Sequence, residues 1–334
     1  PFNVLPKVSA SIAEKVLVFA DENPQKVAVH VRAGKDNLEG TLQLNAPKGW
    51  VVSSPQLFTL ERQGETSTLW FTVTPPKNQS QGYLRPLIQI GDTYYDKELI
   101  NIDYDHIPYQ SVLLPSKAKI VRINIEKKGQ HIGYIQGAGD GVGQSLEQIG
   151  YSVTNLDVTE ISAQNLKKYD AVVVGVRAYN TIAALAFAQK ELNKYVQAGG
   201  TMVVQYNTSH RLVTKQVAPY ALSLSRDRVT DEFAKVTILD PSHPVLNSPN
   251  KITQVDFKGW VQERGLYFPN KWAEEFTPIL AMNDKGAPQT KGSLLVARYG
   301  KGHYVYTGLS FFRELPAGVA GAYRLFANII SIGK

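Results

Sequence analysis

Five carboxylates in the second half of the chain, Asp231, Glu232, Asp256, Glu263 and Glu314, are enough for a glycosidase-like acid/base pair. Asp256, Trp260 and Glu263 or Arg264 fall at helical or near-helical spacing, so one face could present an acid, an aromatic ring and a cation together. The opposing reading is a salt-bridged patch, because Arg226, Arg228, Arg264, Arg313 and Arg324 are plentiful partners. Ser209 and His210 invite a Ser-His reading, but adjacent residues point in different directions and no third group is identifiable. The six histidines are dispersed without paired ligand spacing. No cysteine is present, which excludes thiolate chemistry.

The elements that must position these residues change character along the chain. From His131 onward short apolar runs alternate with helical stretches. Ile132–Ile135, Val153–Leu156, Asp170–Gly175 and Thr201–Gln205 read as strands, the third apolar throughout, as a strand covered on both faces should be. A helix from Ile182 to Gln197 places Ile182, Leu185, Ala186, Gln189, Leu192 and Val196 near one face and stops at Gly199-Gly200. Parallel sheets bind ligands beyond the carboxyl ends of their strands. That rule selects the loops 137–143, 177–180 and 207–210, and with them Asp140, Arg177, Tyr179, Asn180, Asn207 and Thr208 as ligand-binding candidates. Trp260, Glu263, Arg264 and Arg313 could close the same cleft from the C-terminal segments.

Gly137, Gly139, Gly141 and Gly143 are two apart, so the phosphate-binding G-x-G-x-x-G spacing fails. Asp140 would also repel a phosphate at the following helix. The loop reads instead as a tight strand-to-helix turn, with a carboxylate near the helix start. Arg177 could reach over the sheet edge toward a ligand, or pair with Asp140. The residues alone leave both readings open.

The first hundred residues have period two. Val27, Val29 and Val31 alternate with Lys26, Ala28, His30 and Arg32, Leu42 and Leu44 with Thr41 and Gln43, and Leu69, Phe71 and Val73 with Thr68, Trp70, Thr72 and Thr74. Turn residues separate these runs, and no segment shows a helical period. About seven antiparallel strands in a β-sandwich follow. The segments Lys48-Gly-Trp50, Phe58-Thr-Leu60 and Leu69–Val73 give this part a resemblance to the NEW3-type immunoglobulin-like modules of secreted bacterial carbohydrate-active enzymes. Trp50, Trp70, Tyr94 and Tyr95 could stack on sugars, although an aromatic in an alternating strand is usually core. Asp103–Pro108 marks the exit, so residues 1–108 form the first expected domain and 109–334 the second. Lys119–Ile125 is expected to lead into the second sheet.

Composition narrows the partners. Hydrophobic residues make up 43% and charged residues 19% of 334, ordinary for a globular chain that buries a sizeable core. The net charge of +7 is uneven: residues 1–108 hold 10 Lys/Arg against 12 Asp/Glu, and the remainder 26 against 17. A positive second domain suits anionic ligands or is simply a solvated surface. Its basic residues are dispersed without interleaved aromatics, which argues against nucleic acid. No stretch approaches the ~20 apolar residues of a membrane-crossing helix. The chain begins at Pro1, as expected of a piece of a longer protein.

The element order of the second domain resembles the class I glutamine amidotransferase-like fold. In that fold the strand after the third helix, here Thr201–Gln205, ends in a sharp turn bearing a reactive cysteine; Tyr206–Ser209 stands there instead. The fold class implied is all-β plus α/β: an immunoglobulin-like sandwich followed by a flavodoxin-like, doubly wound sheet. Gly137–Asp140, Val176–Thr181, Asp227–Glu232, His243–Asn250, Asp256–Gly265 and Phe312–Arg324 resemble the C-terminal half of large secreted bacterial proteins of the LmbE/PIG-L type. Those proteins begin with a zinc-dependent sugar N-deacetylase domain whose metal sits on a His-Pro-Asp-Asp motif. The His-Pro pair here, His243-Pro244, is followed by Val245-Leu246, which cannot ligate. The resemblance therefore implies a non-catalytic accessory region with no cofactor of its own, the zinc belonging to an upstream deacetylase domain of the same chain. It also implies a secreted or periplasmic setting, carbohydrate as partner, and a homo-oligomer as an open alternative. The competing functions are an independent carbohydrate-active hydrolase and a purely structural module.

Overall fold

The alternating valines near the start of the chain become the inner face of a sheet. The computed structural model describes residues 5–334 and divides the chain into two units, Pro1–Asn124 and Ile125–Lys334. In the first unit β1 (Val8–Ile12), β3 (Gln25–Ala33), β7 (Thr66–Thr74) and β5 (Val51–Val52) form one sheet, ordered β1-β3-β7-β5. The other sheet is ordered β2 (Val16–Phe19), β12 (Ala118–Arg122), β8 (Ser80–Ile90), β4 (Leu38–Asn45) and β6 (Gln56–Leu60), with β9 (Thr93–Tyr95) beside β8. A separate antiparallel pair joins β10 (Lys97–Ile102) to β11 (Gln110–Pro115). Val27, Val29, Val31 and Phe71 from the first sheet meet Leu42, Leu84 and Ile88 from the second in one fully buried cluster.

Two expectations change here. The strand expected to lead into the second sheet instead closes the sandwich, pairing parallel with β2 and antiparallel with β8. Ile120 is completely buried in the sandwich core, so the unit extends to Asn124 rather than Pro108. Twelve strands stand among the described residues of this unit where about seven were expected, two of them, β5 and β9, only two or three residues long. The aromatic candidates divide. Trp50 is core, edge-on to Phe19 with centroids 5.0 Å apart, and its Nε1–H donates to Ser80 Oγ at 3.2 Å. Tyr95 packs half-buried against the same cluster. Trp70 and Tyr94 lie on the solvent side, 56% and 59% exposed.

The second unit is built on a seven-stranded sheet. Its parallel part is β14 (Ser152–Asn155), β13 (His131–Ile135), β15 (Ala171–Val174), β16 (Thr201–Gln205) and β23 (Gly302–Thr307), in that order. Two antiparallel strands, β22 (Leu294–Tyr299) and β20 (Phe276–Pro278), extend it. Beside it lie two short pairs, β17 (Leu222–Val229) with β19 (Gly265–Trp272) and β18 (Thr237–Ile238) with β21 (Leu280–Ala281). Every residue of β15 and β16 is buried, which requires cover on both faces.

Alternate residues serve the two faces. Ile135, Val172, Val174, Met202 and Val204 pack with α4 (Leu185–Gln197). On the other face α1 (Val142–Gln148) lies against Tyr134, where Gly143 approaches its ring. There α6 (Ala320–Ser331) is anchored at its end, Ile332 O accepting from Thr201 Oγ1 at 3.0 Å. Three single turns, α2 (Ala163–Leu166), α3 (Ala178–Thr181) and α5 (Phe311–Glu314), connect these elements. The helix expected from Ile182 begins at Leu185, because Ile182 is extended and separates α3 from α4.

Candidate functional site

The chain turns sharply just beyond the carboxyl end of β15. Arg177 has φ 58° and ψ 21°, the left-handed region, immediately before α3. A non-glycine residue there carries a strain of about 1–2 kcal/mol, and such strain concentrates at functional sites. Neighbouring bonds hold it in place. The Arg177 N–H donates to Tyr206 O at 2.9 Å, and Ala138 N–H donates to Val176 O at 2.8 Å. Gly137 permits this approach, since a Cβ there would lie 2.1 Å from Val176 O. The sharp strand-end turn was expected after β16; the structure places it after β15, with arginine at its apex.

Asp140 explains why the two loops stay together. Its Oδ1 accepts the Val142 N–H at 3.1 Å, at the start of α1, and the Tyr134 hydroxyl; its Oδ2 accepts the Val176 N–H at 3.0 Å. Burial raises the Tyr134 hydroxyl pKa, and the Asp140 charge adds to that rise. Both Asp140 oxygens are engaged in shaping the strand ends, as the tight-turn reading requires. The alternative pairing with Arg177 is not formed. The Arg177 guanidinium is exposed and has no hydrogen bond or ion pair among the described residues.

Several strand-end candidates prove to be scaffold. Tyr179 and Asn207 are fully buried; the Tyr179 N–H donates to Asn207 Oδ1 at 2.9 Å, and its hydroxyl bonds to Gln189. Asn207 also donates through Nδ2 to Gln205 O at 2.9 Å and through its N–H to Tyr306 Oη at 3.1 Å. The Thr208 N–H donates to Asn180 Oδ1 at 2.9 Å, and both side chains donate to His210 O, each at 3.0 Å. Their polar groups are committed to one another and to backbone. Ser209 and His210 make no triad, and the His210 ring has no hydrogen-bond partner among the described residues.

The C-terminal candidates split in the same way. Trp260 is only 3% exposed and donates through Nε1 to Asp256 O at 2.9 Å. Arg264 is buried, donating to Ala234 O at 2.9 Å and Phe257 O at 2.6 Å. Burial lowers its pKa, with Glu314, Asp231 and Glu232 opposing that fall. The helical face proposed for Asp256, Trp260 and Glu263 does not form: a single 3-10 turn over Gln254–Phe257 ends before Trp260. Asp256 instead caps that turn and pairs with Arg324 at 2.7 Å, while Glu263 pairs with Arg313 at 2.9 Å. For these carboxylates the salt-bridged patch was the correct reading.

What the fold does bring together is aromatic and cationic. The Tyr206 ring lies parallel to Tyr267, with centroids 6.0 Å apart, and 5.2 Å from Phe312. The Arg313 guanidinium sits 4.9 Å over the Phe312 ring. Burial raises the Tyr206 hydroxyl pKa; the charges of Arg177 and Arg313 act to lower it, which places both arginines in its field. Tyr267 takes φ 52° within β19, and Gln262 φ 67° just before it. Of the candidates named from sequence, Arg177, Arg313 and Glu263 belong to this surface. Tyr206, Tyr267 and Phe312 were missed, although two of them adjoin chosen residues, because selection by polar side chain passed over their aromatic neighbours. Such a surface can stack against the C–H face of a ring and hold an anionic or hydroxyl group.

Glu314 lies beneath it, completely buried. Burial pushes its pKa up to about 7, against hydrogen bonds from the Val261 N–H at 2.9 Å and the Ser310 hydroxyl at 3.3 Å. Among the described residues no three His, Asp or Glu side chains form a group that could hold a metal ion.

No family model matches the chain, and no curated protein matches it. Solved structures do. A protein from Thermoplasma acidophilum, described as a GMP synthase component, is 11% identical over 61% of this chain and 96% of its own, with a TM-score of 0.40. A family 123 glycoside hydrolase from Clostridium perfringens is 10% identical over 61% of this chain and 38% of its own, with a TM-score of 0.21. An exo-β-1,4-mannosidase from Opitutaceae bacterium strain TAV5 is 11% identical over 60% of this chain and 35% of its own, with a TM-score of 0.34. The chain thus spans well under half the length of the two glycosidases, and none of these likenesses bears on activity.

Proposed function

We propose that this chain is a non-catalytic, carbohydrate-binding accessory region of an exported sugar N-deacetylase. In this reading the first unit is an immunoglobulin-like module of the NEW3 type, and the second an amidotransferase-like domain without the family's nucleophile. One observation carries the proposal. Arg177 is held in a strained left-handed turn, its guanidinium unpaired among the described residues, beside the Tyr206–Tyr267–Phe312 rings and the Arg313–Glu263 pair. Strain at a residue whose side chain makes no internal bond is retained for what that side chain can hold. Aromatic rings flanked by arginine and carboxylate suit a sugar, whose apolar face stacks while its polar groups are hydrogen-bonded. The zinc and the deacetylation step belong to an upstream domain.

Titration of the chain with oligosaccharides of N-acetylated and N-deacetylated hexosamines tests this reading. Binding without turnover is expected, weakened tenfold or more by Arg177→Ala and by Tyr267→Ala. Unchanged isotherms in both variants would remove the site assignment.

One feature favours an independent hydrolase: Glu314 has the near-neutral pKa of a general acid. Its carboxyl is nevertheless fully buried and engaged by Val261 and Ser310. Product release from chromogenic glycosides, stopped by Glu314→Gln with the fold intact, would reverse the preference.

A further inference from the structure

An open cleft of about 500 Å3 lies between β19, the end of β17 and the loop 284–291. That volume is within the range of small-ligand sites, roughly 300–1,000 Å3. Its aromatic wall is Trp272, which packs partly against the core of the second unit and is fixed by that packing. Around it stand Asp227, Arg228, Asn270, Gln289 and Lys291. None of these five polar side chains has a hydrogen bond or ion pair among the described residues, although opposite charges line the same cleft.

Both walls are shaped in advance. The β17–β19 register slips three times between Ser223 and Val229, a bulged stretch that re-aims side chains. Ser225 closes the bulge, its Oγ donating to Phe268 O at 2.7 Å and accepting the Asp227 N–H at 2.9 Å. This presents Asp227 and Arg228 at the cleft. The facing loop is closed by reciprocal backbone bonds between Met282 and Thr290, at 3.0 and 2.9 Å. Asp284 ties that loop to the end of β17, accepting the Thr230 N–H at 3.0 Å and the Asp231 N–H at 2.9 Å. A site whose walls are already ordered loses less on binding.

The chemistry of the lining names the ligand. An indole face offers a stacking surface for ring C–H groups, and two amides with one carboxylate offer donors and acceptors for hydroxyls. Two cations against one carboxylate leave a net positive charge, which favours a ligand bearing one negative group. We propose that this cleft is a second binding site, specific for an acidic pyranose of the uronate type. It shares no polar side chain with the strand-end surface, so it stands whether or not that surface binds sugar.

The test is calorimetric titration of the chain with methyl β-D-glucuronide and methyl β-D-glucoside. Saturable glucuronide binding is expected, at least tenfold tighter than the glucoside. Trp272→Ala should abolish it. Because Trp272 also packs on the core, the exposed variants Arg228→Ala and Lys291→Ala decide the matter, each weakening the glucuronide tenfold or more at unchanged circular dichroism. Equal binding of the two glycosides, binding of neither, or glucuronide binding that survives both charge removals would overturn the proposal. Loss of glucuronide binding in Arg177→Ala would also overturn it, by assigning the ligand to the strand-end surface.

Discussion

The Asp140 carboxylate accepts the Val176 N–H at 3.0 Å, so a residue of the first strand-end loop holds the backbone that presents Arg177. The same side chain accepts the first amide of α1 and the Tyr134 hydroxyl. Asp140→Ala should therefore lower unfolding free energy by about 2–4 kcal/mol, since it leaves a capping position and part-buried donors without a partner. Urea denaturation measures this; a loss below about 0.5 kcal/mol would deny Asp140 its role.

Arg177 makes a contrary prediction. Replacing it by glycine relieves left-handed strain and removes no internal side-chain bond, so the melting temperature should hold or rise, by about 0.5–1 kcal/mol in stability terms. The sugar binding proposed for the strand ends should vanish in the same variant. A clear drop in melting temperature would mean that the guanidinium is structural.

The buried Glu314 makes stability depend on pH. Its folded value near 7 stands above the ordinary 4.5, so between those pH values the folded chain keeps a proton that the unfolded chain has released. The stabilisation from this group is full below about pH 4.5 and is lost as pH rises through 7. Glu314→Gln should flatten that decline by about 1–3 kcal/mol, read as the difference between denaturation midpoints at pH 4.5 and 7.5. Superimposable profiles for the two proteins would contradict the burial account.

Two tryptophans in the sandwich separate packing from exposure. Trp50→Ala should destabilise by about 3–5 kcal/mol, as expected for a core indole packed on Phe19. Trp70→Ala, on the solvent side, should change stability by no more than about 0.5 kcal/mol. Similar losses in both would show that Trp70 is covered in solution.

How far the sequence was legible depended on the range of the interaction. Val27, Val29 and Val31 announced a buried strand face because period two is a local property, and all three are fully buried. Asp140 near a helix start was equally local. The strand at Ala118–Arg122 was misplaced because its partners, β2 and β8, lie far away in sequence. The pairing of Glu263 with Arg313 spans 50 positions, so spacing alone could only offer Arg313 among several partners. Tyr267 was invisible for another reason. Nothing in Leu266-Tyr-Phe-Pro269 signals a left-handed residue, and that conformation lies within the strand Gly265–Trp272.

The seven-stranded sheet ends on one side in β14, four mostly exposed residues, and on the other in β20, three residues closed by Pro278. Proline cannot donate to a neighbouring ladder, and borders this short offer little template for an incoming chain. The borders of this sheet are therefore poor places for it to continue from one molecule into the next.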